Sequence, residues 1–408
     1  MIDNNINNNI NKVLVIVIIL CSIGFYDING LGNMVKGLQL LGAVLIIIVL
    51  LLYWVYGDKQ QTHVKKNFNI FIIVLLLTLI PSMINAAYFH NQSLVRSLYE
   101  QRDVYYYLSY FLLHQMRLEK KFLEKLILYF GITYLLFYII QFLVYPTVLF
   151  DVSMMKDRNT LRINLPGVTF AFLSYFYCLQ HFYHKKKIKY VIIMILTLVV
   201  AILLGGRQVV FMLFFVTILF LLINRHVKYK PAILILAISG LISIYLSFEE
   251  VFNAFIQTTV QTREEGSEYI RVRAARYFLV NFSPNKWTFI FGNGNPSGTS
   301  SYGRTVERLM DEQGYFISDI GMIGVYVYYG IFFVLGSIAL LIKALTLKIK
   351  EQSKYIKYYL IMVLQAILTG TGFMRSEFIV VYCIMLYILD ISHKPKTEKQ
   401  PEHAIGLH

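Results

Sequence analysis

Charge is what this chain lacks most. Asp, Glu, Lys and Arg together supply only 15% of its 408 residues, against 57% hydrophobic. That is too little charge to cover a soluble surface, and apolar runs long enough to cross a bilayer recur along the chain. Acids are scarcer than bases, 23 Asp+Glu against 38 Lys+Arg, which leaves a net charge of +15. Such an excess can signal nucleic acid, but here the lysines sit in short loops between apolar runs. That is the positive-inside pattern of a protein whose surroundings are membrane lipids, and it sets nucleic acid aside as a partner. Cysteine is almost missing. Cys21, Cys178 and Cys383 lie in apolar segments without ligand spacing, so each reads as a small buried hydrophobe and no metal is expected. No GxxxxGK[ST] stretch exists to cradle a nucleotide, and no cofactor is expected. The Asn-rich N-terminus lacks a small-residue cleavage site, so the first apolar run is expected to be retained as a helix.

These absences leave an all-α polytopic membrane protein. Twelve spans are predicted, at 13–28, 36–56, 68–89, 103–117, 124–149, 164–183, 188–205, 208–224, 231–248, 317–342, 356–373 and 376–391. The fourth is short and Tyr-rich, and parity decides for it. With it, the clusters around Lys65, Lys120, Lys186, Lys228, Lys350 and Lys396 share one side with Lys12. Apart from the long segment 249–316, the short segments hold 23 Lys+Arg on that side and 8 on the other, which places both termini in the cytoplasm. Residues 1–248 then carry the first nine spans, 249–316 form a large external loop, 317–391 carry the last three spans, and 392–408 are a polar cytoplasmic tail.

Lysine and arginine part company across this topology. Of 24 lysines, 21 fall on the cytoplasmic side; of 14 arginines, 12 fall outside. Lysine snorkels to lipid phosphates as well as arginine does, but only arginine is a planar fork that grips phosphate or carboxylate through paired hydrogen bonds. An outer face that reserves arginine is a face that handles an anion. Near the bilayer surface such charges are costly unless they pair, snorkel or face a watery cavity. The predicted anion-binding residues are Arg162 in Arg158–Gly167 (RNTLRINLPG), Arg207 in the turn Gly205–Gln208 (GGRQ), and Arg375, which with Glu377 brackets the last turn. Arg96 and Arg102 precede the fourth span. In the long loop, Thr262–Phe282 carries Glu268, Arg271, Arg273 and Arg276 at spacings that can put several on one helix surface. Gly292–Gly303 (GNGNPSGTSSYG) is turn-rich, with many backbone conformations open to it. His90, His114, His181 and His184 have no catalytic partners in sequence and read as structural, and Gly321, Gly324 and Gly330 read as close-packing positions.

About twelve spans, one large loop before the last three, an arginine with a Pro/Gly turn opening a middle span, and Gly-Gly-Arg between two spans form a recognisable layout. It resembles the bacterial O-antigen and capsule repeat-unit polymerases of the O-antigen ligase/polymerase superfamily. Phe291–Gly294 (FGNG) followed by Asp311–Gly330 (DEQGYFISDIGMIGVYVYYG) looks like that family's passage from external loop into membrane. The resemblance covers nearly the whole chain as architecture, through short motifs. It implies a GT-C-like fold in the bacterial cytoplasmic membrane. The implied reaction moves a growing glycan from undecaprenyl diphosphate to the nonreducing-end hydroxyl of a new lipid-linked repeat unit, on the outer membrane face. Donor and acceptor are both undecaprenyl-diphosphate-linked oligosaccharides, and a chain-length regulator is a further implied partner. On this sequence Arg162, Arg207 and Arg375 would hold the diphosphate, and Arg271, Arg273 and Arg276 would orient or cover the substrate. One of Glu268, Asp319 and Glu377 would be the general base, and the loop would act as a lid that excludes water. A ligase-type transferase is the first alternative, set back because no histidine lies between His226 and His393. A flippase is the second, and it would place charge in a central cavity between repeat-related halves. The first external segment, Asp27–Met34 (DINGLGNM), has no paired-acid DxD of the metal-dependent membrane glycosyltransferases.

Overall fold

The computed structural model describes residues 2–56, 64–157, 160–223 and 249–393. The ninth predicted span, 231–248, and the tail from 394 onward lie outside the described residues. A backbone in hydrocarbon must satisfy its own hydrogen bonds, and the apolar runs accordingly fold as helices. In chain order these are α1 (Ile2–Ser22), α2 (Val35–Tyr56), α3 (Asn69–His90), α4 (Leu94–Glu100), α5 (Ser109–Met116) and α6 (Lys120–Val144). A hairpin of β1 (Met154–Asp157) and β2 (Thr160–Ile163) precedes α7 (Val168–Lys185), α8 (Ile188–Leu203) and α9 (Arg207–Ile223). The predicted external loop holds α10 (Glu249–Glu265), α11 (Ile270–Val280), α12 (Lys286–Phe291) and α13 (Ser301–Gln313). The chain then runs through α14 (Met322–Thr346), α15 (Tyr355–Thr369) and α16 (Ser376–Ile391). By length and composition α2, α3, α6 and α14 can each cross a membrane, and Asn8–Ser22, α8 and α9 are shorter apolar helices.

Several boundaries differ from the sequence reading for local reasons. The first helix stops at Ser22 rather than at 28, because Gly24, Phe25, Tyr26 and Asp27 all take positive φ, between 52° and 62°. Four consecutive left-handed residues end a right-handed helix and turn Asp27 back toward the bundle. The fourth span is divided into a 3₁₀ turn, Val104–Leu108, and the eight-residue α5. The tenth predicted span starts its helix α14 at Met322 instead of 317, after Gly321 at φ 55°. Between α6 and α7 the chain is not helical at all: β1 and β2 pair antiparallel, with Met155 opposite Arg162.

The middle of the bundle is α16. From Ile379 to Leu389 no residue exceeds 8% exposure, as expected for a helix that is apolar on every side. It packs against α1, α5, α6 and α7. Leu51, Leu52, Leu77 and Ile80 on α2 and α3 instead point outward, the arrangement of lipid-facing surface. At the C-terminal end of α16, the Asp390 carboxylate accepts from the Tyr110 hydroxyl (2.6 Å) and the Asn67 amide (2.8 Å), and stands 3.0 Å from His114 Nε2. His114 therefore has a partner, in a closed structural knot. Lys120 lies at the same end, 3.4 Å from Glu124 and donating to Ser353 at 2.8 Å. Arg375 and Glu377 stand at the other end, about 20 Å away at 1.5 Å of rise per residue.

The turn-rich stretch of the external loop is fastened down rather than free. Asn293 and Gly294 donate their N–H groups to the carbonyls of Val327 and Tyr328, both at 2.8 Å. Here two backbones touch. A Cβ on Gly330 would meet the Ile290 carbonyl oxygen at 2.3 Å, and one on Gly292 would meet that of Tyr328 at 2.4 Å. Only glycine allows this approach, and Gly330 (φ 81°) breaks the helical run of α14 to make it. Buried Gln92 accepts from the Ser297 N–H (2.8 Å) and Ser300 hydroxyl (2.9 Å) and donates to the Asn295 carbonyl (2.9 Å). His90 stacks on Tyr302 with ring centres 4.2 Å apart.

Candidate functional site

Arg162, Arg207, Arg271 and Arg375 come from four separate segments and line one cavity of about 480 Å³. Local structure explains each position. Arg162 rides on β2, and the hairpin docks on the turn between α8 and α9, where the Thr160 hydroxyl donates to the Leu203 carbonyl at 3.0 Å. Gly205 in that turn has φ 67°, and a Cβ there would stand 3.1 Å from Arg162 Cδ. The Gly-Gly-Arg motif thus leaves room for the Arg162 stem, so the two arginine motifs of the sequence are in contact. Arg207 opens α9 and reaches across to α10, donating to Thr259 at 2.6 Å and Thr262 at 3.4 Å. Arg271 forms a half-exposed ion pair with Asp319 at 3.1 Å. Arg375 is exposed just before α16, and among the described residues no hydrogen bond or close ion pair holds its guanidinium; Asp27, Asp103 and Glu377 act on it from farther away. The same cavity is also lined by apolar side chains, Phe172, Met362, Val363, Ala366 and Phe378, together with polar Thr169, Gln208, Gln365, Thr369 and Glu377.

Two smaller cavities share Arg375 with the first. One, of about 310 Å³, is walled by Asp103, Asn295, Ser318, Asp319, Tyr328 and Tyr329. The other, of about 190 Å³, is walled by Asp27, Gln39, Arg102, Asp103 and Glu377. Asp27 and Asp103 were not singled out in the sequence, although Asp27 opens the first external segment and Asp103 follows Arg102. The Oδ1 atoms of both are buried with no hydrogen-bond partner among the described residues. Burial pushes the Asp27 carboxyl up to about 6, and the nearby Asp151 carboxyl adds to this, while the Arg375 guanidinium pulls the other way.

The remaining predicted residues are distributed unevenly. Glu377, 7% exposed, lines the large cavity, and its carboxylate accepts the Gly167 N–H at the start of α7, where negative charge offsets the helix dipole. Asp319 has its oxygens on Arg271 and on the Ser318 hydroxyl (3.3 Å). Glu268 sits in an exposed turn and does not line the arginine cavity. Arg273 and Arg276 do not line it either. Arg273 lies about 200° around α11 from Arg271 at 100° per residue, and its guanidinium is over the Tyr315 ring at 5.9 Å. Among the described residues no three His, Cys, Asp or Glu side chains gather as a metal site.

The arrangement suits a particular chemistry. Forked cations match a phosphate group, and the apolar side chains in the same lining match a hydrocarbon chain attached to it. Comparison with known proteins gives no match, either to a family model or to a curated protein.

Proposed function

We propose that this chain is a glycosyltransferase of the polysaccharide-polymerase type. It moves a growing glycan from undecaprenyl diphosphate onto a new lipid-linked repeat unit, at the outer face of the bacterial cytoplasmic membrane. In this reading the chain has twelve spans in a GT-C-like arrangement, both termini are cytoplasmic, and the cavity opens outward. One observation carries it: four arginines converge on a cavity that is also lined by a group of apolar side chains, Phe172, Met362, Val363, Ala366 and Phe378. A polyprenyl diphosphate is the amphiphile that fits both halves. As the sugar leaves, negative charge accumulates on the diphosphate, and preorganised guanidinium donors stabilise it. The closed Asp390–His114–Tyr110 knot at the opposite end of α16 favours a transferase, which works from one membrane face, over a flippase.

Deleting the gene and resolving the cell's surface glycan on a gel tests the reading. Single repeat units are expected to remain while the ladder of longer chains is lost; loss of all surface glycan would point to a flippase or ligase instead. The sharper variants are Arg162→Lys, Arg207→Lys and Arg375→Lys, which keep the charge and remove the fork. At least one is expected to slow polymerisation by about 10²–10³-fold, the usual effect of removing one such donor, with the protein still in the membrane. Normal ladders from all three would overturn the diphosphate assignment.

A further inference from the structure

The arginine cavity and the carboxylate cavity meet at Arg375, and the meeting point separates two kinds of chemistry. The second cavity, about 310 Å³, is within the range of small-ligand sites. Its walls offer carboxylates from Asp103 and Asp319, the Asn295 amide, the Ser318 hydroxyl and the rings of Tyr328 and Tyr329. With two carboxylates beside one arginine, Arg375, this side favours the donor's diphosphate less than the four-arginine cavity does. The carboxylates accept hydrogen bonds from sugar hydroxyls, the amide and hydroxyl complete such a network, and Tyr328 and Tyr329 add aromatic wall. Asp103 is the carboxylate best placed for chemistry. It lines this cavity and the smaller one beside it; hydrogen bonds from Ser376 hold its carboxylate in place, while its buried Oδ1 has no hydrogen-bond partner among the described residues. Asp319 is already engaged by Arg271 and Ser318.

We propose that this cavity receives the nonreducing-end sugar of the acceptor, and that Asp103 takes the proton of its attacking hydroxyl. The inference rests on the polymerase reading of the arginine cavity. In the step, the acceptor O–H gives its proton to the Asp103 carboxylate as its oxygen bonds to the donor's anomeric carbon. The bond from that carbon to the diphosphate oxygen breaks, and its electron pair leaves on the diphosphate, held by Arg162, Arg207 and Arg375. Protonated Asp103 then passes the proton to water.

Two probes separate this proposal from the one it rests on. The first is undecaprenyl diphosphate without sugar, read by thermal stabilisation of the purified full-length protein in nanodiscs. The second is the lipid-free repeat-unit oligosaccharide, released by mild acid from the deletion strain's own lipid-linked units and read by saturation-transfer NMR. Asp103→Asn is expected to slow polymerisation by about 10²–10⁴-fold, the contribution of a general base, while undecaprenyl diphosphate stabilises it as it does wild type. Ser318→Trp places a ring at an exposed rim position, where folding is undisturbed. It is expected to lose the oligosaccharide signal and keep the stabilisation by undecaprenyl diphosphate. Arg207→Lys should behave the opposite way, keeping the sugar signal and losing the stabilisation. An oligosaccharide signal undiminished in Ser318→Trp, or a normal rate in Asp103→Asn, overturns the acceptor site alone. Failure of undecaprenyl diphosphate to stabilise wild type, or equal stabilisation of all three Arg→Lys variants, overturns the donor reading whatever the sugar does.

Discussion

Arg375 lines all three cavities described above, and its charge is shared between an anion that would enter and the carboxylates already present. Asp27 is one of three carboxylates, with Asp103 and Glu377, that act on Arg375, and its protonation changes that balance near neutrality. Its folded-state value, about 6, is above the ordinary carboxylate value, so the folded chain holds this proton more tightly than the unfolded chain. The stability from that protonation is full below pH about 4 and is lost as pH rises toward 6. The consequence for binding has the same sign. Above pH 6 an ionised Asp27 competes for Arg375; below it the competitor is neutral and an incoming phosphate meets a less compensated cation. Undecaprenyl diphosphate should therefore bind more tightly as pH falls from 7 to 5. Asp27→Asn should already bind tightly at pH 7, with a flatter profile. The difference between the two titrations isolates Asp27 from the probe's own ionisation. Parallel profiles would show that Asp27 does not modulate Arg375.

At the scale of elements, the predicted external loop has two distinct halves. The half from Asn293 to Ser300 is tied to α3 and α4 through Gln92, whose buried amide makes three bonds to it. The half containing α10 meets the site through Arg207. Under the polymerase reading, motion that admits substrate is expected in the second half, because leaving each of Gln92's partners unpaired in the first would cost about 1–3 kcal/mol. Gln92→Ala is expected to raise amide exchange across residues 295–300 and leave the bundle helices protected; unchanged exchange there would show that the amide is no anchor. The same elements show what was legible beforehand. Arg162, Arg207 and Arg375 stood out because a polar group beside an apolar span has few bland explanations. That Arg271 and Arg273 point apart follows from any helix at 100° per residue; which of them faces the cavity was hidden, since it depends on the helical phase set where α11 begins, after the turn at Tyr269. The hairpin was hidden as well, because four-residue strands carry too little alternation to register. Asp27 and Asp103 were missed for a tertiary reason. They acquire meaning only when a left-handed turn after α1 and the start of the Val104–Leu108 turn are brought against the N-terminus of α16.

Over the whole molecule, α16 joins two chemically different ends. Arg375 and the three cavities lie at one end; the Asp390 knot and the Lys120–Ser353 contact lie at the other. Helices that start and finish alternately at these ends place Arg162, Arg207, Arg271 and Arg375 together, although more than 200 residues separate the first from the last. The separation of lysine from arginine in the sequence thus becomes a separation between the ends of one bundle. The positive-inside rule predicts the sidedness that a labelling experiment can test: with lysine-rich short segments in the cytoplasm, the arginine end would face out. The three native cysteines are buried, which leaves a quiet background for thiol labelling. Arg304→Cys, exposed on α13 at the arginine end, is expected to react with a membrane-impermeant maleimide in intact spheroplasts. Lys350→Cys, exposed between α14 and α15 at the lysine end, is expected to react only after permeabilisation. The reverse pattern would put the arginine cavity on the cytoplasmic face, where a polymerase acting on externally displayed repeat units cannot work. Labelling of both sites without permeabilisation would mean that the two ends are not separated by a bilayer, and the lipid-diphosphate reading would lose its geometry.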